Sequence, residues 1–289
     1  MSDDQWTVGR LLTWTAGWLG DKGSDSPRLD AEVLLAHVRG CQRILLYATF
    51  DEVVPDDQRS RFRELVKRRA AGEPVAYLVG SREFFSLPFT VSPAVLVPRP
   101  ETEGLVVRGI DLVKSAESPR IVDVGTGSGA IAVALAKQLP QATLVATDLS
   151  RAALEVARGN AARHGVAERI AFVESDLLEA ANLAGPWSLI VSNPPYVRDD
   201  EFANLPRDVR DYEPRSALVA GPRGVELIER LAAEASARLA PGGWLLVEAG
   251  PTVAAAVEAI LAGTPGLIPE PTLKDLAGLP RIFQARRAG

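Results

Sequence analysis

Residues 121–135 read IVDVGTGSGAIAVAL and contain the strongest local indication of the fold. A short β-rich run leads into Gly125, Gly127 and Gly129, and a helical segment follows them directly. Glycines at such a turn allow positive φ angles and let the backbone approach a ligand closely. The N–H groups at the start of the helix can then hold a polar or anionic group. The stretch therefore predicts a strand, a ligand-binding loop and a helix in succession.

Strands and helices alternate over the rest of the C-terminal part. Further β-rich runs lie at residues 143–147, 170–174, 189–192 and 244–248, and helical segments at 130–138, 151–164 and 225–239 separate most of them. The last runs, 267–273 and 281–285, are close enough in the chain to form an antiparallel pair at a sheet edge. This alternation predicts an α/β, Rossmann-like fold with a mainly parallel, doubly wound sheet.

The N-terminal part has a different character. Its apolar residues recur at helical spacing and glycines end the segments, which predicts a small helical bundle. After Pro74 the chain changes to short aromatic and β-branched runs broken by Gly80 and Pro88, a hairpin-like pattern. We therefore expect a helical domain over 1–73, a β-hairpin linker over 74–100 and the α/β domain over 101–289.

One predicted helix of the N-terminal part is strongly basic. Phe62, Leu65, Val66 and Arg69 repeat at spacings of three and four, as in an amphipathic helix. Its basic side is either a solvated face or a docking surface for an acidic or RNA-bound partner. The basic residues are Arg59, Arg61, Arg63, Lys67, Arg68 and Arg69.

Composition excludes several classes of protein. With 47% apolar and 24% charged residues, the 289-residue chain has globular rather than disordered composition. Its net charge of −5 argues against broad, sequence-independent binding of nucleic acid. The most apolar stretch contains Asp123 and Lys137, which argues against a membrane span. The acidic N-terminus is unlike an export signal. We therefore expect a cytoplasmic protein. One cysteine, Cys41, and two scattered histidines predict no metal site.

The glycine loop points to a nucleoside-containing cofactor. Asp148 follows Gly129 by nineteen residues, at the end of the next predicted strand, where a carboxylate can accept both hydroxyls of a ribose. Thr126 and Ser128 complete a G-x-G-x-G spacing, whereas a dinucleotide fingerprint has G-x-G-x-x-G. Asp123, two residues before the loop, would repel a pyrophosphate but suit a cationic sulfonium. These features favour S-adenosylmethionine over NAD.

The third strand of the α/β part supplies a second contact to this cofactor. It ends in Glu174-Ser175-Asp176-Leu177. Asp176 can accept a hydrogen bond from the adenine amino group, and the backbone N–H of Leu177 can donate to the ring. The alternative for Asp176 is a helix cap.

The fourth strand ends in Asn193-Pro194-Pro195-Tyr196, which predicts the chemistry. Two prolines would end a strand in any protein, but strand termination requires neither Asn193 nor Tyr196. The side-chain oxygen of Asn193 and the carbonyl of Pro194 can accept the two hydrogens of a planar amide or amino nitrogen. The nitrogen lone pair then points at a methyl donor, and Tyr196 can stack on the planar group. The tetrapeptide predicts methylation of a planar nitrogen.

The chain resembles the release-factor glutamine methyltransferases (the HemK/PrmC family). Besides the glycine loop and the tetrapeptide, the matching segments are 72–77, Val97-Pro-Arg-Pro-Glu-Thr-Glu103, Glu213-Pro214, and Asp275-Leu-Ala-Gly278 with Arg281. The sequence departs from the family at Glu248-Ala-Gly250-Pro251, where a glutamine commonly follows the glycine. These matches span nearly the whole chain.

The resemblance implies a fold, a cofactor and a substrate. The fold is an N-terminal helical domain, a hairpin linker and a methyltransferase domain that uses S-adenosylmethionine. The substrate is the glutamine in the Gly-Gly-Gln loop of class I peptide-chain release factors. By motif, residues 125–129, Asp148, Leu177 and Asn193 would hold the cofactor, and Asn193, Pro194, Pro195 and Tyr196 the glutamine.

Two other functions remain open at this point. A nucleic-acid methyltransferase would act on the exocyclic amino group of a base, but it must unstack the base and grip the flanking phosphates. The 93 residues after Tyr196 fill the rest of the sheet and leave no room for a base-reading domain. A noncatalytic adaptor is the second alternative, and Asp148 and Asn193 would have no purpose in it.

Overall fold

The computed structural model describes residues 5–180 and 183–289, which form two compact units. One unit contains the residues up to Gly80 together with Pro206–Tyr212, and the other contains Ser81–Leu205 and Glu213–Gly289. The helices are α1 (Val8–Asp21), α2 (Pro27–Arg39), α3 (Leu45–Ala48), α4 (Asp56–Ala70), α5 (Val75–Val79), α6 (Glu103–Val113), α7 (Ala130–Gln138), α8 (Arg151–Arg163), α9 (Arg207–Tyr212), α10 (Glu226–Arg238) and α11 (Ala254–Gly263).

The strands belong to the second unit. They are β1 (Ser81–Phe84), β2 (Leu87–Thr90), β3 (Arg120–Val124), β4 (Thr143–Asp148), β5 (Ile170–Glu174), β6 (Trp187–Ser192), β7 (Val197–Arg198), β8 (Val219–Gly221), β9 (Leu239–Glu248), β10 (Leu267–Lys274) and β11 (Pro280–Arg287).

Within the described residues, seven strands form the main sheet in the order β10-β11-β9-β6-β3-β4-β5. Strands β9, β6, β3, β4 and β5 run parallel, and β11 pairs antiparallel with both β9 and β10. The predicted α/β, Rossmann-like fold is confirmed, including the antiparallel pair at the edge. Because parallel strands share a direction, the carboxyl ends of β3, β4, β5 and β6 meet at one edge of the sheet.

Both faces of this sheet are covered. Side chains alternate along each strand, so Ile121 packs in the layer that contains α6 and α7, whereas Val122 packs in the layer of α10 and α11. Continuous apolar runs are what such a doubly covered sheet requires. The strands were predicted from these same apolar runs in the sequence.

The first unit has its own helical core. Leu12 and Leu19 of α1, Leu34 of α2 and Phe62 of α4 are fully or almost fully buried in it. Arg69 lies on the inward stripe of α4, and its Nε donates to Asp30 in α2 over 2.7 Å, with both side chains largely buried. Arg69 is therefore a structural ion-pair partner and not part of the solvated basic face.

The segment after Pro74 differs from the expected hairpin at its start. Residues Val75–Val79 form the helix α5, which Gly80 ends in a left-handed conformation. The hairpin covers only β1 and β2, and Pro88 lies inside β2 instead of interrupting it. A proline is tolerated there because β2 belongs to a two-stranded ribbon and has a free edge. Short apolar runs alone do not distinguish one helical turn from a strand.

Candidate active site

A cavity of about 530 Å³ opens at the carboxyl edge of the sheet, within the second unit. This is the place where open α/β sheets bind ligands, and the volume suits a small molecule. The residues predicted from sequence that line it are Gly125, Thr126, Gly127, Ser128, Asp148, Asp176, Leu177, Asn193 and Pro195. Three other predicted residues, Gly129, Pro194 and Tyr196, are not in the cavity wall.

The glycine loop is shaped by its own backbone. All three of its glycines have positive φ angles, and the N–H of Thr126 donates to the carbonyl of Thr147 over 2.8 Å. Gly129 has a φ of 80° and lies against α8, where a Cβ atom would come within 3.1 Å of the Ala157 Cβ. Gly129 therefore serves the close contact between the loop and a helix, which explains why it does not face the cavity.

Asp123 stabilises the glycine loop through hydrogen bonds. Its side chain is fully buried, and its Oδ2 accepts hydrogen bonds from the Thr126 hydroxyl over 2.6 Å and the Ala132 N–H over 3.1 Å. Burial raises the pKa of Asp123 to about 7. Because the carboxyl is only partly charged near neutral pH and does not line the cavity, its attraction for a cationic sulfonium is weaker than the sequence predicts.

Asp148 lies at the end of β4 and lines the cavity. Its Oδ2 accepts from the Gly127 N–H over 2.9 Å, and its Oδ1 accepts from the Ser150 N–H over 2.8 Å. Burial raises the pKa of this carboxyl, while the backbone N–H groups act in the opposite direction. Each oxygen keeps a second lone pair, so Asp148 joins the loop to the strand and can still accept hydroxyl groups from a ligand.

Asp176 and Leu177 line the same cavity. Leu177 has a positive φ of 47°, which is uncommon for a residue with a branched side chain, and its carbonyl accepts from the Thr147 hydroxyl over 3.3 Å. Asp176 accepts from Arg230 of α10 over 2.8 Å at Oδ2, and its side chain is 41% exposed. An ion pair with Arg230 was not anticipated from the sequence.

Asn193 follows β6 and is held by a residue far away in the chain. Its Nδ2 donates to the hydroxyl of Thr102 over 3.1 Å. In the part of the chain that the structure describes, its Oδ1 accepts no hydrogen bond. The side chain of Asn193 thus has its amide nitrogen engaged and its oxygen available beside the cavity.

Tyr196 packs beneath this segment and not into the cavity. Its ring lies against Gly250, where a Cβ atom would come within 3.1 Å of a ring carbon. Burial, together with the charge of Glu248, raises the pKa of the tyrosine hydroxyl. Pro194, two residues earlier, is buried.

Glu248 ends β9, beside the tetrapeptide, and was not predicted as a site residue. It is 2% exposed, and its Oε2 has no hydrogen-bond partner among the residues that the structure describes. Burial raises its pKa to about 7, although Thr102, Arg281 and Arg99 act in the opposite direction. Glu248 could have been predicted from its position, because it is an acid at the carboxyl end of a parallel strand next to the predicted site, and ligands bind at that edge.

The segment Pro98–Glu103 connects the pieces of the site. Arg99 donates to Glu213 over 2.5 Å, which joins two of the segments that carry the family resemblance. Glu103 accepts from the N–H of Phe85 in the hairpin turn over 2.8 Å, and Thr102 contacts Asn193 as described. The sequence singled out this segment as a family pattern but gave no contact for any of its residues.

Two general features of the described residues bear on function. None of the helices within 5–180 and 183–289 has the length and apolar character needed to cross a bilayer. Over the same ranges, no group of three or more His, Cys, Asp or Glu side chains is arranged to hold a metal ion.

Two family models match the chain. The model described as PrmC N-terminal domain matches residues 10–80, and the model described as Methyltransferase small domain matches residues 110–205. The first match falls on the helical part and the second on the part that contains the glycine loop and the tetrapeptide.

Solved structures share the fold at low sequence identity. The chain has a TM-score of 0.55 to the hMettl16 catalytic domain at 16% identity, covering 78% of this chain and 82% of that one. It has a TM-score of 0.50 to a methyltransferase from Pyrococcus furiosus at 17% identity, covering 80% of this chain and 100% of that one. These similarities establish the fold alone.

Relatives of known name are much more similar in sequence. A protein of Rhodopirellula baltica named release factor glutamine methyltransferase is 47% identical, over 99% of this chain and 98% of its own length. A protein of the same name from Bradyrhizobium diazoefficiens is 45% identical, over 91% of this chain and 89% of its own. The resemblance read from the sequence is thereby confirmed, and the chain belongs to the family of release factor glutamine methyltransferases.

Proposed function

We propose that this protein transfers a methyl group from S-adenosylmethionine to the side-chain amide nitrogen of the glutamine in the Gly-Gly-Gln loop of class I release factors. It is then a protein-glutamine N-methyltransferase that modulates translation termination and acts in the cytoplasm. The single observation that carries the proposal is the state of Asn193. Its nitrogen is engaged by Thr102 and its oxygen is left beside the cavity, as an acceptor for one amide hydrogen.

The cavity suits the proposed cofactor. A Cβ atom added at Gly125 or Gly127 would meet nothing within 4 Å, so the loop backbone leaves open space for a ligand. Asp148 offers carboxylate lone pairs for two ribose hydroxyls, and Asp176 and Leu177, which line the same cavity, are available for the adenine. Residues 125–129, Asp148, Asp176, Leu177 and Asn193 would hold S-adenosylmethionine.

The tetrapeptide would supply the substrate contacts. An amide nitrogen is a poor nucleophile because its lone pair is delocalised into the carbonyl. Two acceptors, Asn193 Oδ1 and the carbonyl of Pro194, would hold both N–H hydrogens and aim the lone pair at the incoming methyl group. S-adenosylmethionine, when bound, supplies that methyl group on a cationic sulfur. Pro195, which lines the cavity, would bound the planar amide, and Tyr196 would support the segment through its contact with Gly250.

We further propose that the helical domain over 1–73 recognises the release factor, that 74–100 is a linker and that 101–289 carries the chemistry. The first unit has a groove of about 390 Å³ lined by Trp6, Trp14 and Trp18 and bordered by Arg59, Arg63 and Lys67. Arg59 and Lys67 pair with acids of their own helix, whereas Arg63 forms no ion pair among the residues that the structure describes. An exposed aromatic and basic groove suits an acidic, partly apolar protein surface.

One assay tests the activity. Labelled methyl donor is offered with intact release factor, with the release factor whose Gly-Gly-Gln glutamine is changed to alanine, and with RNA. We expect label only in the first. Label in RNA would favour the nucleic-acid methyltransferase. No transfer to any substrate, together with no binding of S-adenosylmethionine by calorimetry, would favour the adaptor.

A charge reversal tests the groove. Arg63→Glu should raise the KM for intact release factor about tenfold, as loss of a charged hydrogen bond does, and leave a short Gly-Gly-Gln peptide unaffected. Arg61→Glu is the matched control, because Arg61 lies on the same helix, pairs with Asp57 and is not part of the groove. Equal effects of the two variants would refute a role for the groove.

A further inference from the structure

Asn160 of α8 is a completely buried polar residue that joins two other segments of the second unit. Its side chain is 0% exposed. Its Nδ2 donates to the backbone carbonyls of Thr90 and Ser128, each over 2.9 Å, and its Oδ1 accepts from the Thr90 N–H over 2.8 Å. Both amide hydrogens and the amide oxygen are therefore engaged. The side chain cross-links the end of strand β2 to the glycine loop.

The residue type at this position is informative. Asparagine is a weaker helix former than alanine, and burial of an amide costs free energy unless its groups are hydrogen-bonded. Other buried positions of the same helix are occupied by Ala153, Ala157 and Ala161. Because every hydrogen bond of the Asn160 amide leads to another segment, its contribution lies in the cross-link and not in the helix itself.

Both cross-linked segments lead to walls of the cavity at the carboxyl edge of the sheet. Ser128 lines the cavity directly, and Thr90 is followed, four residues later, by residues 94–96, which line it as well. One turn further along α8, the Nε2 of His164 lies 2.9 Å from the carbonyl of Pro88, so the helix contacts β2 at a second point. Helix α8 thus holds the glycine loop and the strand that leads to the other wall in one arrangement.

We infer that Asn160 is a positioning residue for the cofactor, which fixes the separation of two walls of its cavity. Asn160 does not line the cavity and acts through the backbone of Ser128 and Thr90. The inference rests on the proposed function for the identity of the cofactor. It also gives the hairpin, predicted from the sequence only as part of a linker, a role in cofactor binding.

The Asn160→Ala variant tests this role by calorimetry and kinetics. Without the cross-link, binding of S-adenosylmethionine must first order the two walls, and we expect its affinity to fall about tenfold. The rate at saturating cofactor should stay within about threefold of the parent. The KM for the cofactor therefore rises while kcat hardly changes. A merely structural residue would do the opposite, because loss of folded enzyme lowers kcat and leaves KM unchanged.

Gln284→Ala is the matched control. Gln284 is also a buried amide, 3% exposed, with both ends bonded. Its Oε1 accepts from Arg108 over 2.9 Å, its Nε2 donates to the Pro271 carbonyl over 2.6 Å, and it does not line the cavity. We expect this variant to lose stability but to keep the parental cofactor affinity. Parental affinity in Asn160→Ala, or an equal loss in the two variants, would overturn the inference.

Hydrogen exchange on the unaltered protein remains available if Asn160→Ala fails to fold. The N–H of Thr90 donates to Asn160, so its exchange rate reports on opening of the cross-link. Binding of S-adenosylmethionine should slow exchange at Thr90, although Thr90 does not line the cavity. The N–H of Phe283 in β11, a buried strand of the same sheet, controls for stabilisation of the whole unit. Exchange at Thr90 that slows no more than exchange at Phe283 would overturn the inference.

These measurements separate the inference from the proposed function, because neither cofactor affinity nor hydrogen exchange requires a release factor. If Asn160→Ala weakens cofactor binding but the parent methylates no release factor, the proposed function fails and the role of Asn160 stands. If the parent methylates release factor and Asn160→Ala binds the cofactor as tightly as the parent, the inference fails and the proposed function stands.

Discussion

The two sides of the cavity are built in different ways. On the cofactor side, the glycine loop and Asp148 are held mostly by backbone groups within 25 residues of one another, through Gly127, Ser150 and Thr147. On the substrate side, Asn193 and Tyr196 are held by Thr102 and Gly250, which lie far away in the chain. The cofactor side is therefore shaped by local sequence, and the substrate side by tertiary structure.

This difference predicts that substitutions on the two sides affect different quantities. A change on the cofactor side should weaken cofactor binding and leave the rate at saturation nearly intact. A change on the substrate side should lower the rate and leave cofactor affinity nearly intact. Variants on each side test whether cofactor affinity and the rate of transfer are affected separately.

The largest effect is expected for Asn193→Ala. Loss of the acceptor oxygen should lower the single-turnover rate about a hundredfold or more, equivalent to about 2.7 kcal/mol of barrier. The reason is that the substrate amide would no longer be held with its lone pair toward the methyl group. Quenched single-turnover assays at saturating cofactor measure this rate. Calorimetry should show only a modest loss of cofactor affinity. A parental rate in a folded variant would end the planar-nitrogen mechanism.

Asn193→Asp also tests the role of the Asn193 side chain as an acceptor. From the motif alone, aspartate would be expected to retain more activity than alanine, because it keeps the accepting oxygen. The structure is compatible with that expectation, because the Thr102 hydroxyl, which accepts from Asn193, can instead donate to an aspartate. We expect Asn193→Asp to retain more activity than Asn193→Ala, though less than the parent, in the same single-turnover assay.

Asp148→Ala should have the next largest effect, on cofactor binding. Loss of hydrogen bonds to a charged acceptor should weaken binding by about 1.5–3 kcal/mol. Because Asp148 also accepts from Gly127, part of this loss comes from a looser loop. Calorimetry measures the affinity, and Asp148→Asn, which keeps one acceptor oxygen, should lie between the parent and the alanine variant. Unchanged affinity would remove Asp148 from the site.

Gly129→Ala tests the local construction of the loop. The φ of 80° is strained for alanine, and the new Cβ would come within 3.1 Å of Ala157 on α8. We expect a loss of about 1–2 kcal/mol in the free energy of unfolding, the cost of placing a side chain in the left-handed region. Cofactor affinity should fall with it, because the same loop forms the cavity wall. Chemical denaturation and calorimetry on the same sample check both.

Gly250→Ala is the matched change on the substrate side and should have the smallest effect. Its φ of −77° suits alanine, so only the contact with the Tyr196 ring at 3.1 Å is affected. The ring must give by a few tenths of an ångström, and we expect the rate to fall about threefold, or about 0.6 kcal/mol. Cofactor affinity should not change. An effect on affinity larger than that on rate would break the comparison between the two sides.

The same difference explains how much could be predicted from the sequence. The sheet, its antiparallel edge and the residues Gly125–Ser128 and Asp148 in the cavity wall followed from local patterns, because strand, glycine loop and acid are read from one stretch of chain. The helical spacing of Arg69 also predicted its position on the inward stripe of α4, but it did not predict the ion pair with Asp30.

What the sequence could not provide was long-range contact. The hydrogen bond from Asn193 to Thr102 joins residues 91 positions apart, and the burial of Glu248 has no local signature. The burial of Asp123, which raises its pKa to about 7, and the packing of Tyr196 against Gly250 likewise depend on tertiary structure. The helix α5 was missed because one apolar turn of helix and one short strand have the same composition.

The most direct test of the central claim is the location of the transferred methyl group. Release factor is incubated with this protein and S-adenosylmethionine, digested and fragmented in a mass spectrometer, with the Asn193→Ala variant in parallel. We predict one methyl group on the side-chain amide nitrogen of the Gly-Gly-Gln glutamine with the parent protein, and almost none with the variant. A methyl group on any other residue or atom, or equal methylation by the variant, would contradict the account.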